Sequence, residues 1–323
     1  LAYVTFFGLY MPSCADNEYT IGILNYPGAQ RAAVFGLADL FETANRMSAK
    51  ESSEGDARTI QVKVIEDTSH QQAPLSTIIL PPSLNDDTTL LDEDSLNDLA
   101  QLHQQGTLLC SVCAGAFVLA QTGILDGRKA TTHWALAEKF RELYPDVKLD
   151  TDKLVIDDGD VITAGGLMAW TDLGLKLVDR YLGSSTMLAT ARFMLVDPGG
   201  REQRFYSVFS PSLTHGDEPI LKVQHWLQTS YEQAITVNDM AEKANLSTRT
   251  FIRRFQQATE LSPSTYLQHL RVGKARSLME SSKMTIDKIA WEVGYNDTSA
   301  FRKTFQKLMG LTPQEYRYRF TAD

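Results

Sequence analysis

From Tyr19 onward the hydrophobic and polar positions alternate between two periods. "YTIGILN", "RTIQVKVIED" and "TIILPPS" are short runs rich in β-branched residues and bounded by turn formers, so they read as strands. "RAAVFGLADLFETANRMSA" and "LLDEDSLNDLAQLHQQG" repeat their apolar residues with helical spacing. The stretch 108–112 is a further apolar strand that turns at Cys113 into a helix carrying Ala116, Phe117, Leu119 and Ala120. A helix "HWALAEKFRELYP", a hairpin-like "KLVIDDGDVITAGG" and a long helix "AWTDLGLKLVDRYLG" follow. Strands separated by helices predict a largely parallel sheet covered on both faces, with ligands bound outside the carboxyl ends of the strands, where Cys113 lies. Between 197 and 217, "DPGGREQRFYSVFSPSLTHGD" has no apolar periodicity and many glycines, prolines and serines, and reads as a linker. Beyond it every period is helical.

That helical end contains an imperfect internal repeat. "DMAEKANLSTRTFIRRF" and "KIAWEVGYNDTSAFRKTF" each give a short helix with an alanine, a turn, and a second helix with phenylalanines four apart. Ala241 and Ala290 are 49 apart, while Phe251 with Phe301 and Phe255 with Phe305 are 50 apart. A small residue where two helices cross, and Gly294 at the bend, make each unit a helix-turn-helix. The phenylalanines mark the buried stripe of each second helix. The opposite face then presents Arg249, Ile252, Arg253 and Gln256 in the first unit, and Ser299, Arg302, Lys303 and Gln306 in the second. Arginine matches guanine edges in the major groove, isoleucine a thymine methyl, and serine either base or phosphate.

Charge supports a division of labour. Residues 221–323 hold 15 Lys and Arg against 10 Asp and Glu, net +5, whereas the preceding 220 residues hold 16 against 30, net −14. A basic end on an acidic body points to nucleic acid as its partner. The 323-residue length suits about two domains. Three cysteines, Cys14, Cys110 and Cys113, cannot build a disulfide framework, which favours a reducing compartment, the cytoplasm. Cys110 and Cys113 spell C-x-x-C, but zinc would need a second pair and a thioredoxin-type site would put its first cysteine at the helix start, so no metal and no cofactor is expected. The opening "LAYVTFFGLYMPSC" is apolar without a basic residue; "MPSC" resembles a lipoprotein site, but without positive charge the stretch reads rather as a misassigned or truncated start with translation beginning near Met11. No other run approaches membrane-spanning length, so no membrane partner is expected.

Ser111, Cys113 and Gly115 spell small-x-nucleophile-x-Gly, the crowded strand-to-helix turn that lifts one side chain clear of a sheet. Helix-start amides facing the sulfur would favour its thiolate.

Residues 218–323 resemble the DNA-binding domain of the AraC family of bacterial transcription regulators; "IAWEVGYNDTSAFRKTFQKLMGLTPQEYR" carries its C-terminal signature. The resemblance implies two helix-turn-helix units joined by a long helix near 264–281. Thr248, Arg249, Ile252 and Arg253 would read one major groove, and Thr298, Ser299, Arg302 and Lys303 the next. Gly310, Thr312 and Pro313 match the closing turn. Residues 19–183 resemble the ThiJ/PfpI branch of the class I glutamine amidotransferase-like superfamily, through "SVCAGAFVLAQTGILDGRKATTHW" and "VITAGG". The combination is that of the amidotransferase-like (GlxA-like) AraC regulators. It implies a flavodoxin-like α/β sandwich followed by an all-α domain, with boundaries 1–18 extension, 19–196 effector domain, 197–217 linker and 218–323 DNA-binding domain. Cys113 matches the reactive elbow cysteine and His133 a histidine near the pocket. Ala33 stands where enzymatic members carry glutamate, Ala114 where protease-like members carry histidine, and "PPS" where "PGG" is usual, so Pro82 offers no N–H and only Ser83 retains one. The expectation is an effector pocket at Cys113, Ala114, His133 and Ser83 without turnover. The protein would then be a homodimeric activator that binds double-stranded DNA, contacts RNA polymerase, and takes a small effector such as an amine, amino acid or quaternary ammonium compound. The rival expectation is a DNA-tethered cysteine-dependent amidase, deglycase or glyoxalase-like enzyme.

Overall fold

The computed structural model describes residues 17–51, 58–66, 75–85, 91–199, 201–207, 209, 211, 213 and 215–321, so residues 1–16 of the opening extension lie outside the described residues, while its last residue, Glu18, already belongs to the first strand. The chain divides into two compact units between Gln203 and Arg204.

In the first unit the elements run β1 (Glu18–Leu24), α1 (Arg31–Glu51), β2 (Thr59–Ile65), β3 (Thr77–Leu80), α2 (Glu93–Gln104), β4 (Leu108–Val112), α3 (Gly115–Gln121), β5 (Lys129–Ala130), α4 (Ala137–Leu143), β6 (Lys148–Leu149), β7 (Val155–Asp157), β8 (Val161–Ala164), α5 (Trp170–Leu182) and α6 (Ser184–Met194). The main sheet has the order β2-β1-β3-β4-β8-β7. All its pairings are parallel except β7 with β8, which form the hairpin the sequence suggested. From β1 the chain crosses to β2 in one direction, and from β3 it crosses to β4 and β8 in the other. Right-handed connections therefore put α1 on one face and α2, α3 and α4 on the opposite face. Helices α1, α5 and α6 pack against one another, and Phe117 of α3 meets Phe140 of α4 edge to face at 4.9 Å. Strands β3, β4 and β8 are buried along their whole length, as expected of a doubly covered sheet.

Two features were not legible in the pattern. Helix α6 follows α5 without any turn residue but Gly183, and β5 with β6 adds a small parallel pair. The segment that reads as a linker also begins inside this unit. Lys153 and Glu202 form an isolated antiparallel bridge and an ion pair at 3.0 Å, and Gln203 is 2% exposed.

The second unit is helical: α7 (Glu218–Ser230), α8 (Val237–Lys243), α9 (Thr248–Thr259), α10 (Pro263–Ser281), α11 (Ile286–Glu292), α12 (Thr298–Met309) and α13 (Pro313–Phe320). Each starts where a short polar side chain accepts from a backbone N–H of the first turn: Asp217, Thr236, Ser247, Ser262, Thr285, Asp297 and Thr312. Such caps satisfy N–H groups the helix itself leaves bare and are each worth about 1 kcal/mol, so the boundaries are set locally. The caps also show that the repeat is longer than its sequence match. Ser247 and Asp297, Ser262 and Thr312, Pro263 and Pro313, and Tyr266 and Tyr316 are all 50 apart. Tyr266 meets Phe255 at 5.2 Å and Tyr316 meets Phe305 at 5.6 Å, both edge to face. Each module thus has its own core, and α10 serves both, giving Tyr266, Leu267 and Leu270 to the first and Val272, Ala275 and Met279 to the second.

Candidate nucleic-acid interface and effector site

In both modules the phenylalanine stripe is fully buried: Phe251, Phe255, Phe301 and Phe305 are each 0% exposed. The remaining faces of α9 and α12 turn outward. Thr248, Arg249, Ile252 and Arg253 are exposed, as are Ser299, Arg302 and Lys303, while Thr298 is half-buried at the first turn of α12. Arg249, Arg253 and Lys303 make no ion pair among the described residues. Arg254, on the flank of α9, is instead committed to the cap of α7, donating from Nε and Nη2 to Asp217 at 2.9 and 2.8 Å. Not every face residue is loose. The Thr248 hydroxyl donates to Asn238 Oδ1 at 3.0 Å, and Arg302 Nη2 donates to Asp287 Oδ1 at 2.8 Å. The surface is a pair of outward helix faces bearing cations and hydroxyls, groups that can pair with phosphates and base edges.

In the first unit the loops after β1, β3, β4 and β8 converge at the carboxyl ends of the strands. Cys113 sits on the turn with φ of 55°, a left-handed conformation that a non-glycine residue adopts only where its surroundings enforce it. Three contacts do so. Its N–H donates to Ala164 at 2.7 Å, its carbonyl accepts from the Thr132 hydroxyl at 2.8 Å, and Gly115 lets the backbone approach β3, where a Cβ would lie 2.6 Å from the Leu80 carbonyl oxygen. The small-residue requirement read from the sequence is therefore real. The Ala114 N–H at the helix start does face the sulfur and, with the Gly166 N–H, favours the thiolate, but burial outweighs both and pushes the Cys113 thiol up to about 11. A one-sided shell of two amides does not repay the loss of water around a group 5% exposed.

Around the cysteine, the Tyr26 hydroxyl donates to the Pro81 carbonyl, and burial together with the neighbouring Cys113 raises the Tyr26 pKa. The β1 and β3 loops are laced by backbone bonds, Gln30 N to Pro82 O at 2.7 Å and Leu84 N to Gly28 O at 2.9 Å. Ser83 is 8% exposed and its hydroxyl accepts from Asn85 N at 3.1 Å. Ala114 is also 8% exposed. His133 is half-buried, which lowers its pKa, and its Nδ1 accepts from Ala135 N at 3.1 Å. The ring caps its own short turn and makes no hydrogen bond to Cys113 among the described residues; Thr132 alone ties that segment to the elbow. Ala33 is 0% exposed. The four expected pocket residues thus share one end of the sheet, three of them packed shut.

Sequence reasoning missed Gln203. Its amide donates to the Thr131 hydroxyl at 3.0 Å and to the Thr132 and Lys153 carbonyls at 2.8 and 3.0 Å, and accepts from Trp134 N at 3.2 Å. It fills the space beside Gly165, where a Cβ would lie 1.9 Å from Gln203 Nε2. The "VITAGG" glycine pair was the available signal, since a glycine often marks a close approach. A cavity of about 300 Å³ opens next to this strap, lined by Leu154, Leu175, Met187, Arg201 and Glu202 among others. No group of side chains suited to hold a metal ion occurs among the described residues.

A parallel α/β unit with a cysteine elbow, followed by two helix-turn-helix modules, defines the class. Residues 43–180 match the DJ-1/PfpI family and residues 240–319 a family described as a helix-turn-helix domain, so the chain joins a DJ-1/PfpI domain to an AraC-type helix-turn-helix domain. It is 29% identical over 215 residues, 66% of this chain and 58% of the relative, to the HTH-type transcriptional regulator GbdR of Pseudomonas aeruginosa. It is 29% identical over 222 residues, 68% of this chain and 67% of the relative, to the regulator ArgR of the same organism. Against the regulator GlxA of Rhizobium meliloti the identity is 27% over 224 residues, 68% of each chain. The match thus spans 58% of the length of the GbdR relative, and all three relatives are named transcriptional regulators. No helix among the described residues is long and apolar enough to cross a membrane.

Proposed function

We propose that the protein is a sequence-specific DNA-binding transcription regulator whose DJ-1/PfpI domain binds a small effector and performs no turnover. The observation that carries the reading is the repeated module, in which a locally capped helix buries two phenylalanines and turns threonine, serine and cations outward, twice in one unit. Thr248, Arg249, Ile252 and Arg253 serve one half-site, and Thr298, Ser299, Arg302 and Lys303 the other. The effector pocket lies at the loops of Cys113, Ala114, His133 and Ser83, and the protonated thiol acts there as a polar wall. The effector is an amine, amino acid or quaternary ammonium compound, and the protein works as a cytoplasmic homodimer that activates transcription through RNA polymerase. The left-handed elbow at Cys113 and the two N–H groups facing its sulfur favour a tethered enzyme, and the burial that raises the thiol pKa argues against it.

The test is selection of duplex DNA from a random library by the full chain, followed by titration of the enriched duplex against salt. The reading expects a defined sequence and an affinity that falls steeply with salt, because phosphate neutralisation releases counterions. Failure to enrich any sequence would remove it.

A further inference from the structure

The two modules differ at one point of their shared plan. Asn238 and Asp287 are 49 apart, the spacing of Ala241 and Ala290, so both occupy the same place one turn ahead of the helix crossing. Each reaches the second helix of its own module. In the first module Asn238 holds the Thr248 hydroxyl at the start of α9, and the residue facing outward a turn later is Ile252, which has no hydrogen-bonding group to steady. In the second module the residue 50 beyond Ile252 is Arg302, and Asp287 holds its Nη2 at 2.8 Å. Both partners are about half exposed, at 51% and 47% of their side chains. In water such a pair contributes little to folding. A carboxylate on a face expected to meet phosphates is, by itself, a liability. Its place is explained if its task is performed in the complex.

We propose that Asp287 is a positioning residue for DNA reading: it grips one edge of the Arg302 guanidinium so that the remaining N–H donors point into the major groove as a fixed fork toward a guanine. Arginine presents five donors in a planar fork, and a guanine accepts two of them at O6 and N7. Unrestrained, the long side chain must give up its rotamer freedom on binding and can settle equally on a phosphate. Held by Asp287, it has lost that freedom beforehand, and its charge is partly offset, which weakens the phosphate alternative more than the directional base contact. The inference rests on the DNA-binding reading and adds an asymmetry to it: one half-site is read through an apolar contact at Ile252, the other through a braced arginine.

The experiment selects DNA from a random duplex library with the full-length wild type, Asp287→Asn and Arg302→Ala, and measures affinity for the wild-type consensus and for random duplex. The Arg302→Ala selection identifies the base position that Arg302 reads. Asp287→Asn is expected to flatten preference at that same position, to lower the consensus-to-random ratio about tenfold, and to leave the positions read by α9 unchanged. In the Arg302→Ala background Asp287→Asn should have no further effect on the ratio. Because Thr285, not Asp287, caps α11, both variants should keep their helical circular dichroism and melting temperature. An unchanged preference at the Arg302 position, a loss spread over every position of the half-site, or a ratio that falls equally without Arg302 would overturn the proposal. A wild type that enriches no sequence would instead remove the DNA-binding reading and this inference with it.

Discussion

Whether the first unit senses or catalyses turns on the proton of Cys113, and that proton can be followed directly. With the thiol pushed up to about 11, about one molecule in 10⁴ carries the thiolate at pH 7, against about one in 30 for a free cysteine with pKa near 8.5. A more basic thiolate is intrinsically more nucleophilic, which returns roughly a factor of 10. The net expectation is alkylation about 30-fold slower than a free thiol, slowed further by burial, since the residue is 5% exposed. The assay treats the native chain with iodoacetamide between pH 7 and 10.5, with glutathione as the internal reference, and quantifies the Cys113 peptide by mass spectrometry. The rate should climb about tenfold per pH unit without a plateau below pH 10. A plateau below pH 8, or reaction as fast as glutathione at pH 7, would refute the reasoning and make the rival enzyme the leading reading. The same burial has a thermodynamic consequence whose sign is fixed. The unfolded chain releases this proton near the ordinary cysteine value of about 8.5 and the folded chain only near 11, so the contribution to stability is intact below about pH 8.5 and is lost as pH rises from there to 11. Urea midpoints should fall over that window, and Cys113→Ser should make the fall shallower; a slope unchanged by Cys113→Ser would count against the assigned burial.

Two further outcomes test other parts of the molecule. Arg253→Ala and Lys303→Ala should each weaken binding to the selected duplex by about 1–3 kcal/mol while changing random-duplex affinity much less; equal losses on both would reduce these residues to phosphate contacts. Gln203→Ala removes its bonds to the Thr131 hydroxyl, the Thr132 and Lys153 carbonyls and the Trp134 N–H, although the Thr131 hydroxyl still reaches both carbonyls, so urea unfolding of the first unit should lose about 1–3 kcal/mol, and a loss below about 0.5 kcal/mol would show that the segment is not anchored there.

The structure also revises one repair that the sequence invites. The resemblance would put Ala33 where enzymatic members of the superfamily carry glutamate, which makes Ala33→Glu look like a way to restore a reactive thiol. Ala33 is wholly buried in the core formed by α1 and the sheet. A carboxylate introduced there would be neutral or would disrupt packing, because burial disfavours its charged form.

What the amino-acid sequence determined by itself was whatever depends on neighbours along the chain. The alternation of periods separated the sheet unit from the helical unit, and the phenylalanines four apart fixed which side of α9 and α12 faces outward. The caps of α7 to α13 are single side chains bonding within three residues, so those helix ends were local matters, and the small residues around Cys113 disclosed the elbow. Tertiary structure alone decided the rest, because each of those features depends on groups far apart in sequence. The thiol's protonation follows from how completely β3, β4 and β8 exclude water, which outweighs two favourable amides nearby. Gln203 lies in a stretch without periodicity, and its bonds span 50 to 72 residues, so no local pattern could mark it as an anchor. The brace between Asp287 and Arg302 joins residues 15 apart across a helix crossing. The repeat placed Arg302 on its outward helix face, and only the crossing geometry brought the Asp287 carboxylate to the guanidinium.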